Sequence, residues 1–275
     1  MSEIRLLRQD DIPSLMRLNR AAGWNQTERD WARLMRLQPD GCFGLEAGGQ
    51  VVATTTAYCY GRRLAWIGMV LTDPECRGRG CARRLMEHAL AWLEGRGLAW
   101  IKLDATDMGR PLYLKLGFED EAPVERWGLN PGGVAQASRP VSSTGALPFD
   151  LDRRAFGADR AALLEDLARG EQAVLSESAC AMGRPGANAA FFGPCVSRSA
   201  EDARTLLQWF LGAHPGEPVY WDILPENREA VRLAEEFGFV RRRRLVRQVR
   251  RGAADAAPLV RADEYVFAIA GFEYG

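Results

Sequence analysis

Hydrophobic and polar positions in the first half of the chain follow the two periods that are expected of helices and strands. Apolar positions recur every three or four residues in four segments, which predicts helices. These segments are residues 10–22, 27–37, 80–94 and 110–116. Short apolar or alternating runs predict strands. These runs are residues 3–8, 42–61, 64–72 and 98–106. The run 42–61 contains Gly48-Gly49 and is therefore predicted to be a hairpin.

Local signals mark the ends of several predicted helices. Thr27 with Asp30 three residues later comes close to a capping box at the start of the second helix. Pro13 suits the first turn of the first helix, and Gly117 suits the end of the last one.

The second half repeats this order of elements less legibly. Helices are predicted at residues 159–170, 199–212 and 227–239, and strands at 173–183, 188–196 and 218–224. Aligning YLKLGF (113–118) with AEEFGF (234–239) places Ala234 opposite Tyr113. A chance match of two Gly-Phe endings is the alternative, but the shared order of elements favours an internal duplication.

A stretch rich in Gly, Pro and Ser separates the two halves and has no helical or strand period. The sequence therefore predicts a first domain at residues 1–130, a linker at 131–148 and a second domain at 149–275.

Composition limits the class of protein. Of 275 residues, 47% are hydrophobic and 26% charged, with a net charge of zero. These values are typical of a globular protein, and no overall field attracts it to nucleic acid or to a membrane. No apolar run reaches the roughly 18 residues of a membrane helix, and the N-terminus lacks the apolar core of a signal peptide. We therefore expect a cytoplasmic protein, a monomer or homodimer, without a membrane partner.

The cysteines and the arginine-rich segment each have a plain interpretation. Six cysteines form no C-x-x-C pair and there are only two histidines, so we expect free thiols and no metal site. The segment 241–251 has seven arginines. It is open to a nucleic-acid interpretation, but no aromatic residue interleaves with the arginines as single-strand stacking would favour. A strand with one solvated face, or a patch paired with acidic residues of the first domain, suits it better.

The stretch DPECRGRGCARRLM (73–86) lies between a predicted strand and a predicted helix. Such a junction presents unpaired backbone N–H groups and the positive end of the helix dipole, which together favour an anion. The Walker pattern is absent, and the dinucleotide pattern fails at Arg83. The pattern R-x-x-G-x-G/A is satisfied at every defined position of 77–82. A solvated loop is the alternative.

The stretch VLTDPECRGRGCARRLMEHAL (70–90), followed by LYLKLGF (112–118), resembles the GCN5-related N-acetyltransferases (GNAT). The resemblance covers residues 3–127 and, more faintly, 150–275 as a second copy. It implies an α/β (mixed α+β) fold of two tandem GNAT-like domains. Each would be a twisted, mixed and largely antiparallel sheet flanked by helices.

The resemblance also implies the cofactor, acetyl-CoA, and the residues that bind it. Backbone amides of the loop would bind the pyrophosphate, and the end of the preceding strand would pair with the pantetheine arm. The loop residues are Arg77, Gly78, Arg79, Gly80, Cys81 and Ala82, and the strand residues are Val70, Leu71 and Thr72. Gly109 is a further cofactor-binding candidate, although Asp107 and a Gly-Arg-Pro turn replace the family's usual asparagine nearby.

Tyr113 is the candidate catalytic residue, since the resemblance places it near the coenzyme sulfur, where a phenol could protonate the departing thiolate. The implied reaction is direct attack by a primary amine of a small-molecule acceptor on acetyl-CoA in a ternary complex. A core aromatic residue is the alternative for Tyr113. A non-catalytic acyl-CoA-binding regulatory module is the alternative for the whole protein.

Trp24, Asn25 and Glu28 are the candidate acceptor-binding residues, because the family's acceptor pocket tends to form between the first two helices. The general base is left open among Glu28, Glu46 and Asp73, each of which has a surface carboxylate or a helix cap as its alternative. The second copy has SRSAED (197–202) where the loop would be and Ala234 in place of the tyrosine. We therefore expect it to have lost cofactor binding.

Overall fold

A computed structural model describes residues 2–131, 141, 145–175, 177–253 and 256–275. The chain forms two compact units that are not contiguous in sequence. The first consists of Met1–Asp120, Gln248–Ala257 and Phe272–Tyr274, and the second of Glu121–Arg247, Pro258–Gly271 and Gly275. The two units therefore do not correspond to a single cut of the chain at the predicted linker. Most of that linker, residues 132–140 and 142–144, lies outside the described residues.

The first unit is built on five strands and four helices in the described part of the chain. The strands are β1 Glu3–Leu6, β2 Cys42–Ala47, β3 Gln50–Tyr60, β4 Leu64–Thr72 and β5 Trp100–Ala105. The helices are α1 Ile12–Ala22, α2 Glu28–Leu37, α3 Cys81–Glu94 and α4 Arg110–Lys115. The strands follow the order β1-β2-β3-β4-β5, in which β4 and β5 are parallel and the other neighbours antiparallel.

The second unit has the same kind of architecture. Its helices are α5 Phe149–Phe156, α6 Ala161–Leu167, α7 Ala200–Ala213 and α8 Arg228–Glu236. Its strands are β7 Glu171–Leu175, β8 Ala179–Arg184, β9 Ala190–Ser197, β10 Val219–Ile223 and the short β12 Val266–Ala268. Strands β6 Glu119–Leu129 and β11 Val240–Arg251 supply residues to both units.

The internal duplication is visible in the strand pairings. In the second unit β7, β8 and β9 are antiparallel, and β9 pairs with β10 in parallel. This repeats the sequence β2, β3, β4 and β5 of the first unit, with α7 placed between its parallel strands as α3 is in the first. The predicted mixed α/β fold of two similar domains is confirmed.

Several predicted ends differ for local reasons. β1 stops at Leu6 because Arg8 N donates to the Asp11 carboxylate at 2.7 Å and residues 9–11 form a 3-10 turn. The predicted strand 173–183 is two strands, with Ser178 N bonded to the Leu175 carbonyl between them. Elements β6, α5 and β12 have no counterpart in the prediction.

The core of the first unit lies between α3 and the sheet. Buried residues on one side of α3 pack against buried residues of β2, β3, β4 and β5. They are Leu85, Met86, Ala89, Leu90 and Leu93 on the helix, with Phe43, Ala53, Ala57, Ala65, Ile67 and Leu103 on the strands. This packing fixes the start of α3 beside the end of β4.

Three further predictions concern membrane, metal and thiols. Within the described residues, no helix is both long enough and apolar enough to cross a membrane. The same residues contain no group of three or more His, Cys, Asp or Glu side chains that could hold a metal ion. All six cysteines are free, and burial raises the pKa of the Cys42 and Cys180 thiols to about 12.

Candidate active site

Strand β4 bulges away from β3 near its end. Thr56 pairs with Gly68 and Thr54 with Leu71, so two β4 residues, Met69 and Val70, lie opposite one residue of β3. Met69 has a φ of 49°, which is unusual for a residue with a side chain. Its carbonyl accepts a hydrogen bond of 2.6 Å from the Thr54 hydroxyl. The bulge thus turns peptide groups of β4 out of the regular ladder.

Strands β4 and β5 separate beyond their first residues. Their parallel pairing joins Leu64–Trp66 to Trp100–Lys102, and no further pairing between them occurs in the described residues. Val70, Leu71 and Thr72 lie in the part of β4 past this point. An extended ligand could therefore pair with their backbone on the β5 side, as another strand would.

The turn after β4 is held by Asp73. Its carboxylate accepts a hydrogen bond of 3.0 Å from Glu75 N, which starts the 3-10 turn Pro74–Cys76, and it forms an ion pair with Arg17. The hydrogen bond from the Arg17 guanidinium is the main reason why the pKa of Asp73 lies below its usual value. Asp73 thus lies where a cap and ion-pair partner would lie, which is the alternative to a role as general base.

The loop then enters α3 through two glycines in the left-handed region. Gly78 has a φ of 74° and Gly80, at the N-cap position of α3, a φ of 77°. A Cβ on either glycine would meet no atom within 4 Å, so it is backbone conformation and not crowding that requires glycine here.

The start of α3 is open to an anion. The first intrahelical hydrogen bond runs from Arg84 N to the Gly80 carbonyl at 3.0 Å, and no side chain caps the helix. The amides of Cys81, Ala82 and Arg83 precede that bond and have no acceptor within the helix. Arg77 and Arg79 are exposed and form no ion pair in the part of the chain that the structure describes. Unpaired amides, helix dipole and arginine charge therefore meet at one place.

Tyr113 lies on α4, in the same core cluster as Cys81. It is 7% exposed, and burial raises the pKa of its phenol above the usual value of 10. Its ring packs over Gly109, where a Cβ would lie 2.8 Å from the ring. The contact that explains Gly109 is thus with the tyrosine, and a direct cofactor contact at Gly109 stays a prediction.

The three candidate acceptor residues are only partly brought together. Trp24 and Asn25 lie in the segment between α1 and α2, where Trp24 is half-buried and Asn25 is 5% exposed. Glu28 is exposed at the first position of α2. Glu46 is paired with Arg5 on β1 at 2.6 Å. The choice of general base among Glu28, Glu46 and Asp73 stays a prediction.

Comparison with known proteins gives two family matches along the chain. Residues 6–118 match the profile "Acetyltransferase (GNAT) family", and residues 149–260 match the profile "Acetyltransferase (GNAT) domain". The chain belongs to the GNAT acetyltransferases. The predicted family and tandem arrangement are confirmed.

Solved structures show the same tandem GNAT fold. A protein from Pyrococcus horikoshii classed as an acetyltransferase has a TM-score of 0.87 at 21% identity, covering 100% of this chain and 96% of that one. A GCN5-related N-acetyltransferase from Sphaerobacter thermophilus has a TM-score of 0.67 at 16% identity, covering 95% and 98%. A tandem GNAT protein from the clavulanic acid biosynthesis pathway has a TM-score of 0.63 at 15% identity, covering 93% and 100%. A search of curated proteins gave no match.

The second GNAT copy differs at the place that corresponds to the loop. Only Arg198 and Ser199 separate β9 from α7, and the Ser199 hydroxyl accepts a hydrogen bond of 3.1 Å from Asp202 N. Ala234 is fully buried on α8. This helix start is capped by a side chain, in contrast to that of α3.

Gln26 and Glu273 are two further candidate residues of this GNAT chain, and they contact each other. Gln26 follows Trp24 and Asn25, and its amide contacts the carboxylate of Glu273 near the C-terminus. Gln26 lies in the same segment as the candidates Trp24 and Asn25, whereas no motif or period marks Glu273. Its place depends on a contact between residues 247 positions apart.

Proposed function

We propose that this GNAT chain transfers the acetyl group of acetyl-CoA to a primary amine of a small molecule by direct attack in a ternary complex. Its two family matches support acyl-CoA-dependent acetyl transfer in general. The observation that carries this proposal is the open start of α3 next to the separated ends of β4 and β5.

The residues of the first unit fit acetyl-CoA. The uncapped amides of Cys81 and Ala82 and the free guanidinium groups of Arg77 and Arg79 suit a pyrophosphate, since charge-assisted hydrogen bonds to phosphate are among the stronger ones. The open space beside Gly78 and Gly80 lets phosphate oxygens approach the backbone. Val70, Leu71 and Thr72 offer an unpaired strand edge of the kind that a pantetheine amide chain would extend. When bound, acetyl-CoA supplies the activated acyl group.

The β4 bulge and Tyr113 are the proposed catalytic features. A backbone N–H turned out of the ladder at Val70 would stabilise the charge that develops on the acetyl oxygen. Tyr113 would supply a proton to the coenzyme sulfur. Its raised pKa keeps the phenol protonated, but also makes it a weaker acid than an ordinary tyrosine. We therefore assign it a modest contribution, at the low end of the roughly 10²–10⁴-fold range of general acid catalysis.

The second GNAT copy is proposed not to bind the cofactor, because its helix start is capped by Ser199. The location in the cytoplasm, the acceptor and the oligomeric state stay predictions, as does the absence of nucleic-acid partners. Arg241, in the arginine-rich strand, forms an ion pair with Glu125 at 3.0 Å, which agrees with a structural role for part of this segment.

The test has two steps that also separate an enzyme from a non-catalytic acyl-CoA-binding module. Titration calorimetry with acetyl-CoA is expected to give saturable binding. Release of coenzyme A is then followed across a panel of primary amines, and release that depends on the amine is expected. Binding of acetyl-CoA without release for any amine would favour the module, and absence of binding would contradict both.

A further inference from the structure

The C-terminal tail, Phe272–Tyr274, belongs to the first unit and packs on the sheet face next to the β4 bulge. The Trp66 indole N–H donates to the Phe272 carbonyl at 2.9 Å, and the Tyr60 hydroxyl donates to the Tyr274 carbonyl at 2.6 Å. Side chains at alternate positions of a strand share a face, so Trp66 and Gly68 of β4 point to the same side. The tail is thus bonded to β4 at Trp66, two residues before Gly68, and to β3 at Tyr60, at the end of that strand where it pairs with Leu64.

Gly68 lets the tail approach this closely. A Cβ at Gly68 would lie 2.8 Å from the Cα of Glu273 and 3.0 Å from its carbonyl oxygen, closer than side-chain carbons normally come to backbone. Gly68 directly precedes Met69, the first residue of the bulge. Glu273 therefore lies against the residue that precedes the bulge, in which the N–H of Val70 is proposed to bind the acetyl oxygen.

The side chain of Glu273 is buried and bonded to Gln26. Glu273 is 2% exposed and accepts a hydrogen bond of 2.7 Å from Gln26 Nε2. An ionised carboxylate can only accept, so the Gln26 amide must present its NH₂ group to Glu273 and its Oε1 elsewhere. Gln26 is 7% exposed, and its Oε1 has no hydrogen-bond partner among the described residues. A buried carboxylate and a buried, unsatisfied amide oxygen are therefore adjacent.

This pair has the chemistry of an ammonium site. Buried acceptors in folded proteins are normally satisfied, so the Gln26 oxygen calls for a donor that the protein itself does not supply. A primary ammonium carries three N–H donors and a positive charge, and can bond to the amide oxygen and the carboxylate together. A neutral hydroxyl supplies one donor and no charge, and an anion would be repelled by the carboxylate.

We propose that the C-terminal tail completes the acceptor side of the site and that Glu273, together with Gln26 Oε1, binds the ammonium of the acceptor and takes up its first proton. This inference rests on the acetyl transfer proposed above. Loss of that proton frees the nitrogen lone pair, which attacks the acetyl carbon, and the C–N bond forms as the C–S bond breaks. Tyr113 gives a proton to the sulfur and regains one, through solvent, from the second proton that the nitrogen loses. Glu273 returns its proton to solvent.

The test is Glu273→Gln, which keeps an oxygen that can accept from Gln26 but removes the charge and the base. The probes are spermidine, 2-phenylethylamine and glycinamide, which carry a primary ammonium on three different bodies. For the probe that wild-type protein acetylates best, kcat/KM is expected to fall by about 10²-fold, as is usual when a general base is lost. The dissociation constant of acetyl-CoA and the melting temperature are expected to stay at their wild-type values.

The control is Glu264→Gln, the same change at an exposed position earlier in the chain. It is expected to leave all three quantities unchanged. A second variant, Gln26→Met, removes the amide oxygen while Glu273 remains, and is expected to lower kcat/KM for the amine without weakening acetyl-CoA binding. It tests the pair if Glu273→Gln does not fold.

Three outcomes would overturn this inference while the cofactor part of the proposed function stands. One is wild-type kcat/KM in a folded Glu273→Gln protein. Another is full amine turnover in Gln26→Met when Glu273→Gln fails to fold. The third is a wild-type protein that binds acetyl-CoA but neither binds nor acetylates any of the three probes. Failure of wild-type protein to bind acetyl-CoA would instead overturn the proposed function itself.

Discussion

The two GNAT copies have a bulge of the same kind but differ in the backbone N–H that the bulge can offer. In the first, Met69 and Val70 form the bulge on β4. In the second, Phe192 pairs with Gly183 and Cys195 with Ala181, so Gly193 and Pro194 of β9 form a bulge of the same kind. Pro194 stands where the first copy has Val70, and proline has no N–H to offer an acetyl oxygen.

The start of the helix that follows each bulge also favours an anion in the first copy and not in the second. α3 begins after an eight-residue turn, Asp73–Gly80, with an uncapped end and exposed arginines. α7 begins after two residues, is capped by Ser199 and carries Glu201 and Asp202 in its first turn. Those carboxylates already interact favourably with the helix dipole and would repel a phosphate. The two copies thus share a fold but differ in the bulge residue and in the helix start, the two features on which the proposed cofactor site depends.

The largest expected effect comes from closing the open helix start. Gly80→Val is expected to weaken acetyl-CoA binding by about 10²-fold or more, because its side chain would point into the open space that the phosphates need. Loss of two charge-assisted hydrogen bonds at about 1.5–3 kcal/mol each gives this magnitude. Titration calorimetry on folded protein measures it.

Gly216→Val is the matched control for this change. Gly216 lies in the second unit, has a φ of 78° and, like Gly80, has no atom within 4 Å of a Cβ. Both variants are expected to lose a similar stability, on the order of 1–3 kcal/mol for a strained backbone. Only Gly80→Val is expected to lose affinity, and equal affinities in the two variants would refute the phosphate-loop assignment.

The next effect concerns the tyrosine that the second copy lacks. Tyr113→Phe keeps the ring over Gly109 and removes only the hydroxyl. We expect kcat to fall by about 10²-fold, with the acetyl-CoA dissociation constant nearly unchanged. The measurement needs an acceptor amine and conditions in which chemistry limits turnover. Tyr220→Phe, the same change in the second unit, is the control, and wild-type kcat in Tyr113→Phe would leave Tyr113 as a packing residue.

The features that could be predicted from the sequence are those made by neighbours along the chain. The capping box at Thr27 and Asp30 forms as predicted, with Thr27 N bonded to the Asp30 carboxylate at 2.7 Å. Gly78 and Gly80 likewise adopt the left-handed conformation that only glycine takes easily. Both depend on a few adjacent residues.

The features that could not be predicted depend on distant contacts. The membership of Gln248–Ala257 and Phe272–Tyr274 in the first unit is set by packing, and no periodicity in those segments indicates it. The position of Glu273 could not be predicted for the same reason, since its burial depends on the distant residues Gly68 and Gln26. Trp24, Asn25 and Glu28 are therefore the part of the proposed acceptor side that the sequence indicates, and Glu273 is not.

A smaller effect tests whether Ser199 closes the second helix start. Ser199→Ala removes the cap on α7 and is expected to lower the free energy of unfolding by about 1 kcal/mol. Thr205→Ala, at a half-buried position within the same helix, is the control and is expected to be neutral or slightly stabilising. Denaturant unfolding measures both. A loss no larger in Ser199→Ala than in Thr205→Ala would mean that the serine does not cap the helix in solution.

The smallest expected effect is the difference between one and two equivalents of acetyl-CoA bound per chain. Titration calorimetry of the full chain is expected to give one acetyl-CoA per chain, because the second copy offers neither an N–H at Pro194 nor an open start of α7. Ser199→Ala is expected to keep this value of one, since Glu201 and Asp202 would still repel a phosphate after the cap is removed. Gly80→Val is expected to leave little binding at the same acetyl-CoA concentrations, which would assign the single site to the first copy. A value near two in wild-type protein, or a site that persists at full affinity in Gly80→Val, would show that the second copy binds the cofactor despite its capped helix.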